Sequence, residues 1–232
     1  MSELNGTLFG SADLNAIDLD DVSVRPGAII KVGPHAGLQP IAPAGDEQII
    51  RALLTGIIGE NANREGLLET PKRVAKAWRE MTKGYSQNPA DILKAFEDGA
   101  EGTQSQWIIV KDIPIHSNCE HHLLPFFGTA TIGYVPNGKV VGLSKLARLA
   151  DVFAKRLQVQ ERLTNQIATA LIEHADARCA MVSVSCRHMC MEARGIQREG
   201  ATTSTLAYRT VAMDQESRDE YRREFFEQLK VA

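Results

Sequence analysis

A thiol, a carboxylate and two imidazoles occupy four consecutive positions at the start of CEHHLLPFFG, Cys119 to Gly128. Side chains of these types share two kinds of chemistry, metal ligation and proton transfer near neutral pH. On an extended strand Cys119 and His122 point to opposite faces, so the chain must bend after Cys119 if both are to hold one ion. Cys-x-x-His alone is a weak signal, because a buried cysteine beside an unrelated histidine explains it as well. A second cluster changes the weight, since VSVSCRHMC ends in His188, Met189 and Cys190. Read as a strand, that segment projects Val184, Cys186, His188 and Cys190 from one face, presenting another thiol and imidazole together.

Cys119, His122 and Cys190 are donors that suit zinc, and three protein ligands leave the fourth position open to water, as catalytic sites do. The alternative is a closed structural staple with His188, His121 or Cys186 as the fourth ligand. His121 and His188 remain after three ligands are assigned and suit acid–base work. That surplus favours catalysis, while composition alone leaves the staple open.

Elements must carry these clusters to one place. Residues 1 to 45 are rich in Gly, Pro, Asp and Asn, and GPHAGLQPIAPAGD holds three prolines without a sustained period, so this stretch is expected to be a mobile extension, with His35 a solvated loop residue. From Asp46 the pattern turns helical, Ile49, Ile50, Leu53, Leu54 and Ile57 forming one stripe. A second helix is expected at ETPKRVAKAWREM, capped by Thr70 with Pro71 at the first helical position, and it places Arg73 and Lys76 on one face. This helical region is expected over 46–105. From 106 to 232 a second region follows, opening with the strands WIIVKDIPIHS, FFGTATIGYVP and KVVGL, the last two joined by a turn at Pro136, Asn137 and Gly138. Two helices, SKLARLADVFAKRL and ERLTNQIATALIEHA, precede two more strands, CAMVSVSCRHMC and TTSTLAYRTVA, and SRDEYRREFFEQL reads as a closing helix. Strands, a helix pair, then strands predict an α+β fold, an antiparallel sheet with two helices on one face.

Composition narrows the function classes. The 232-residue chain has a formal net charge of -3, which gives no electrostatic footprint for nucleic acid or for an anionic membrane. No window approaches the apolar length of a membrane span. Four cysteines do not make a disulfide framework, and two of them lie beside histidines, which favours metal or catalytic use in a reducing compartment. The acidic amino terminus lacks the basic and apolar regions of a signal peptide, so a cytoplasmic location is expected.

CEHHLLPFFG, IGYVPNGKVVGLSKLARLADVFAKRLQVQERLTNQIA and HMCMEARGIQREGATTST together resemble the GTP cyclohydrolase I family. The resemblance runs from about Thr70 to Thr205. It implies a tunnelling fold, assembly into a toroidal homodecamer with active sites at subunit interfaces, and conversion of GTP and water to 7,8-dihydroneopterin triphosphate and formate. It implies zinc on Cys119, His122 and Cys190, activating the water that adds to C8 of guanine, with His121 and His188 as acid–base residues and His188 protonating the purine nitrogen as the ring opens. In GLSKLARL it gives Ser144, at a helix amino terminus that favours phosphate, together with Lys145 and Arg148, to the triphosphate. Arg194 would complete that pocket, joined by Arg73 and Lys76 of a neighbouring subunit. In QVQERL, Gln160 and Glu161 become the guanine-reading pair; taken alone they read equally as an exposed helix cap. Cys179 and Cys186 have no implied role. Nitrile-reducing relatives share the fold but use a catalytic Cys without this zinc triad and carry an acidic-lysine motif absent here, which disfavours a reductase. A non-catalytic assembly protein with structural zinc is the other class; it has no need of the spare histidines or of Gln160 and Glu161.

Overall fold

The computed structural model describes residues 45–97, 101–102 and 106–230, so the extension expected over 1–45 lies, but for its last residue, outside the described residues. Helix α1 (Asp46–Ala52) opens with Asp46 and Glu47 in its first turn, where carboxylates meet the positive end of the helix dipole. It continues as a π-helical turn, Leu53–Ile58, that stops at Gly59 in the left-handed conformation. The expected stripe is present but faces outward in large part: Leu54 is buried, whereas Ile49, Leu53 and Ile57 are 57%, 39% and 82% exposed.

Helix α2 (Thr70–Met81) has Pro71 in its first turn, as expected, but Thr70 is not its cap. The Arg73 N–H already reaches the Glu69 carbonyl at 3.1 Å, which draws Thr70 into the helix and leaves Glu69 at the cap position. A short helix α3 (Pro89–Ile92), capped by the Asn88 side chain, leads to strand β1 (Ala95–Phe96).

Five strands form the main sheet: β2 (Ile108–Cys119), β3 (Pro125–Pro136), β5 (Leu157–Gln158), β6 (Ala177–His188) and β7 (Thr202–Thr210), in the order β5-β2-β3-β6-β7. All neighbours are antiparallel except β5, which runs parallel to the end of β2 and pairs Gln158 with Cys119. The intervening β4 (Val140–Val141) corrects the expected hairpin. KVVGL does not return along β3, because both edges of β3 are taken by β2 and β6; it pairs instead with β1. Gly138 at φ 91° swings the chain off the sheet, and the buried Tyr134 hydroxyl accepts the Val141 N–H at 2.7 Å.

Helices α4 (Leu143–Ala154) and α5 (Gln160–His174) pack side by side on one face of the sheet. Leu146, Leu149 and Phe153 of α4 and Leu163, Ile167 and Leu171 of α5 recur at three and four, and they close on Ile115, Phe126, Ile132 and Val184. Helix α7 (Gln215–Lys230) covers the other face: a Cβ at Gly133 would stand 2.7 Å from the Phe225 ring, which is fully buried. With both faces covered, Ile132 to Pro136 of β3 are buried without alternation. The architecture is the α+β one expected, an antiparallel sheet with a helix pair on one face. No described helix is long and apolar enough to cross a membrane.

Candidate metal centre and active site

Strand β2 ends at Cys119, and the chain then bends as the spacing requires. The Cys119 carbonyl accepts the N–H groups of Leu123 at 2.8 Å and His122 at 3.3 Å, while the Cys119 N–H donates to the Leu124 carbonyl at 2.8 Å. Closing this loop puts Leu123 at φ 55°, a left-handed conformation that a leucine adopts at a cost of about 1–2 kcal/mol. The turn brings His122 Nδ1 to 3.6 Å from Cys119 Sγ. Tetrahedral zinc, at about 2.3 Å from sulfur and about 2.0–2.1 Å from nitrogen, separates two such donors by about 3.6 Å. His121 Nδ1 lies 3.9 Å from the same sulfur, on an exposed ring.

Glu120, between these ligands, faces α5. It pairs with Arg162, whose Nε also donates to Gln158 Oε1 at 2.9 Å and whose Nη2 donates to the Leu157 carbonyl at 3.1 Å. The Glu120 N–H donates to the Gln158 carbonyl at 3.0 Å. The guanidinium holds the Glu120 carboxyl below the usual carboxylate range.

The second half of the centre corrects the strand expectation for Cys190. Strand β6 ends at His188, whose pairing with Phe126 terminates the β3 ladder, and β7 pairs no further than Arg187. Without a strand partner the chain winds into a single helical turn, α6 (Met189–Glu192), and this turn carries Cys190. Arg187 grips the turn from the strand, pairing with Glu192 and lying over the Phe127 ring at 5.8 Å. Burial, and then the neighbouring Cys119 thiol, push the Cys190 thiol up. A cation between the two sulfurs favours the ionised forms that ligation requires. One ligand atom each from Cys119, His122 and Cys190 lies within 4.8 Å of the others. Two thiols and an imidazole at that spacing form a donor set that fits zinc.

His188 lies beside this group in sequence and stacks on Phe126, with ring centroids 4.7 Å apart and planes 10° from parallel. Burial lowers its pKa, and the Glu161 carboxylate opposes that shift. Its Nε2 is 2.8 Å from Gln160 Oε1. Gln160 is buried, and its amide nitrogen donates to the carbonyls of Val184 at 3.0 Å and Thr203 at 2.8 Å. Glu161, the next residue, is exposed in the first turn of α5.

The phosphate candidates are arranged less closely. Ser144 is exposed and Lys145 half-buried in the first turn of α4, with Gly142 at the cap position, and Arg148 is exposed one turn on. Arg194 reaches His122, Nη1 to Nε2, at 2.9 Å. An arginine only donates, so this contact uses an unprotonated Nε2; with Nδ1 on a metal, Nε2 would carry the proton and could no longer accept from the guanidinium. Arg73 and Lys76 are exposed on α2, and no hydrogen bond or ion pair among the described residues ties them to the cluster. Cys179 and Cys186 are buried in the sheet, and burial pushes both thiols up to about 12. Sequence reasoning missed the supports, Arg162 with Glu120 and Arg187 with Glu192. The second pair, five residues apart across RHMCME, had a visible signal in its opposite charges; the first, 42 residues apart, had none.

A family model described as GTP cyclohydrolase I matches residues 47–230. The chain is 64% identical over 157 residues to a GTP cyclohydrolase 1 from Janthinobacterium sp. (strain Marseille), covering 68% of this chain and 78% of that one. It is 50% identical over 186 residues to a GTP cyclohydrolase 1 from Campylobacter jejuni subsp. doylei, covering 80% of this chain and 95% of the relative. A Corynebacterium glutamicum protein of the same name is 52% identical over 178 residues, covering 75% and 88% of the two chains. With a matched segment that includes both halves of the cluster and the sheet and helices that hold them, the chain belongs to the GTP cyclohydrolase I family.

Proposed function

We propose that the chain is a zinc-dependent GTP cyclohydrolase I, converting GTP and water to 7,8-dihydroneopterin triphosphate and formate at the entry to pterin and tetrahydrofolate synthesis. The observation that carries this reading is the convergence of Cys119, His122 and Cys190 within 4.8 Å while His121 and His188 stay outside the ligand set. Zinc held by those three residues supplies a Lewis acid that activates water near neutral pH. The chain's own residues do the rest. His188 passes a proton to the purine nitrogen as the imidazole ring of guanine opens, and exposed His121 serves the later proton transfers.

Ser144, Lys145, Arg148 and Arg194 hold the triphosphate, with Arg73 and Lys76 contributed by a neighbouring subunit; binding there places C8 for attack. Glu161, beside Gln160, accepts the two donors of the guanine edge, N1–H and the exocyclic amine. Exposed Ile49, Leu53, Ile57 and Ile58 support a homo-oligomer, which the family resemblance makes a toroidal homodecamer with active sites between subunits. Free thiols at Cys119 and Cys190 suit the reducing cytoplasm. Incubating the zinc-loaded protein with GTP should release formate and generate a pterin chromophore. Neither product appearing would overturn the reading, and equal turnover of guanosine would remove the phosphate pocket from it.

A further inference from the structure

Both polar atoms of the Gln160 side chain already have partners within the chain. Its amide nitrogen has two hydrogens and three acceptors: the Val184 carbonyl at 3.0 Å, the Thr203 carbonyl at 2.8 Å and Thr205 Oγ1 at 3.1 Å. Two of these are backbone carbonyls of adjacent strands β6 and β7, which cannot reverse their polarity. Flipping the amide would aim its oxygen at both of them and leave a buried repulsion, so the donors fix which end is nitrogen. The third acceptor belongs to a closed chain of bonds. Thr205 Oγ1 lies 2.6 Å from Thr164 Oγ1, and the Thr164 hydroxyl donates at 2.7 Å to the Gln160 carbonyl. Gln160 is only 2% exposed, so water does not compete for these positions.

With the amide oriented in this way, Oε1 faces His188 Nε2 at 2.8 Å. An amide oxygen only accepts, so Nε2 must carry a hydrogen whether the ring is neutral or charged. The Phe126 ring, stacked at 4.7 Å, sets the plane of the imidazole, and the hydrogen bond sets its rotation within that plane. Nδ1 has no hydrogen-bond partner among the described residues.

We propose that Gln160 is a positioning residue: it locks His188 in the Nε2–H tautomer and so makes Nδ1 the only ring nitrogen that exchanges a proton with substrate. The proposal rests on His188 being the proton-transfer residue, and it takes the Gln160 side chain out of base recognition, leaving that edge to Glu161. In the transfer itself, the Nδ1–H bond of the imidazolium breaks as an N–H bond forms on the purine nitrogen, and the electron pair returns to Nδ1. The Nε2–H bond stays intact throughout, because an amide oxygen is far too weak a base to take that proton. The supporting residues are ordinary in type, yet they decide which nitrogen does the chemistry, as the partner of a catalytic histidine generally does.

The decisive measurement is made on the native sequence. In zinc-loaded protein labelled with 15N-histidine, at a pH where His188 is neutral, its Nε2 should show the shift of a protonated nitrogen and its Nδ1 that of an unprotonated one. The reverse assignment overturns the proposal. Assignment uses the signal lost in His188→Ala. Gln160→Met, close in shape and without hydrogen bonds, should lower kcat by about ten- to hundredfold, the lower part of what general acid–base catalysis contributes. KM for GTP should stay within about threefold and zinc content should be unchanged. A raised KM with native kcat would instead make Gln160 a base reader and overturn the lock. If Gln160→Met does not fold, Thr205→Val, which loosens the amide without removing it, should show a smaller loss in kcat alone. Native kcat in His188→Ala would overturn the proposal through the role of His188, with the native spectrum unaltered, so the two failures are distinct.

Discussion

Arg162 ties the loop of Cys119, Glu120, His121 and His122 to α5, and removing its guanidinium should weaken metal binding without touching a ligand. The guanidinium pairs with Glu120, and it is held in place by Gln158 Oε1 at 2.9 Å and the Leu157 carbonyl at 3.1 Å. Both charged side chains are partly open to solvent, 42% for Arg162 and 32% for Glu120, so screening reduces the pair to about 0.2–1 kcal/mol. Preorganisation of the fork by its two other acceptors moves the contribution to the upper end of that range. Arg162→Met should therefore weaken zinc by about two- to fivefold, since about 1.4 kcal/mol is a factor of ten and about 1 kcal/mol a factor of five. Competition against a chromophoric chelator reads this directly. Arg162→Lys, which keeps the charge and loses the fork, should fall between the two. Raising the salt should narrow the gap between wild type and Arg162→Met. The double-mutant cycle with Glu120→Gln decides the matter: additive effects on zinc affinity, meaning no coupling across the pair, would refute the argument even if each variant were weakened.

Three other outcomes are expected. Alanine at Cys119, His122 or Cys190 should lose zinc and activity together while His188→Ala keeps its metal, and full zinc occupancy in Cys190→Ala would remove that residue from the ligand set. Gly128→Ala places a Cβ 2.0 Å from the Ser185 carbonyl oxygen and 2.7 Å from Cys186 Cα, backbone atoms that cannot turn aside, so β3 and β6 must separate and urea denaturation should show a loss of about 1–3 kcal/mol. Cys179, Cys186 and Tyr208 are all raised to about 12, from ordinary values of 9.0 for the thiols and 10.0 for the phenol; the unfolded chain then loses these protons first, so stability should fall as pH climbs from about 9 toward 12, and neither thiol should alkylate in the folded protein at pH 8.

The parts of this fold that announce themselves are those where one period runs unopposed. Leu146, Leu149 and Phe153 recur at helical spacing and are buried together in α4, and the strand pattern from Ile108 ends at the thiol that the chemistry requires. Misreadings fall where a distant partner overrides the local pattern. KVVGL has the composition of a return strand, but its place beside β3 is occupied by β6, some forty residues later, and no local feature reports that. Cys190 continues the alternation of β6 on paper, yet a strand persists only while a neighbour pairs with it, and both neighbours stop at or before His188. The bend at Cys119 was required by the chemistry, whereas its means, a leucine at positive φ, is one that propensity argues against.

Gln160 and Glu161 show how much a site depends on a rotation that composition leaves unspecified. The two polar residues are adjacent and opposite in exposure, because α5 is turned by the burial of Leu163, Thr164, Ile167 and Leu171. Gln160 stands three, four and seven positions before buried Leu163, Thr164 and Ile167, at the middle of the buried face, whereas Glu161, about 100° further round the helix, falls outside it. An amide can go inward because four partners meet it there, two carbonyls, a threonine hydroxyl and the imidazole N–H of His188; a carboxylate in the same place would face two carbonyl oxygens. The order Gln then Glu is therefore not interchangeable. Exchanging the two residues would bury a charge against acceptors and leave His188 facing a group held by nothing, while presenting to guanine an amide that brings a donor where the base already has two. On the proposed reading the pair divides one task between two faces of a helix, the inner residue orienting the proton donor and the outer one reading the base.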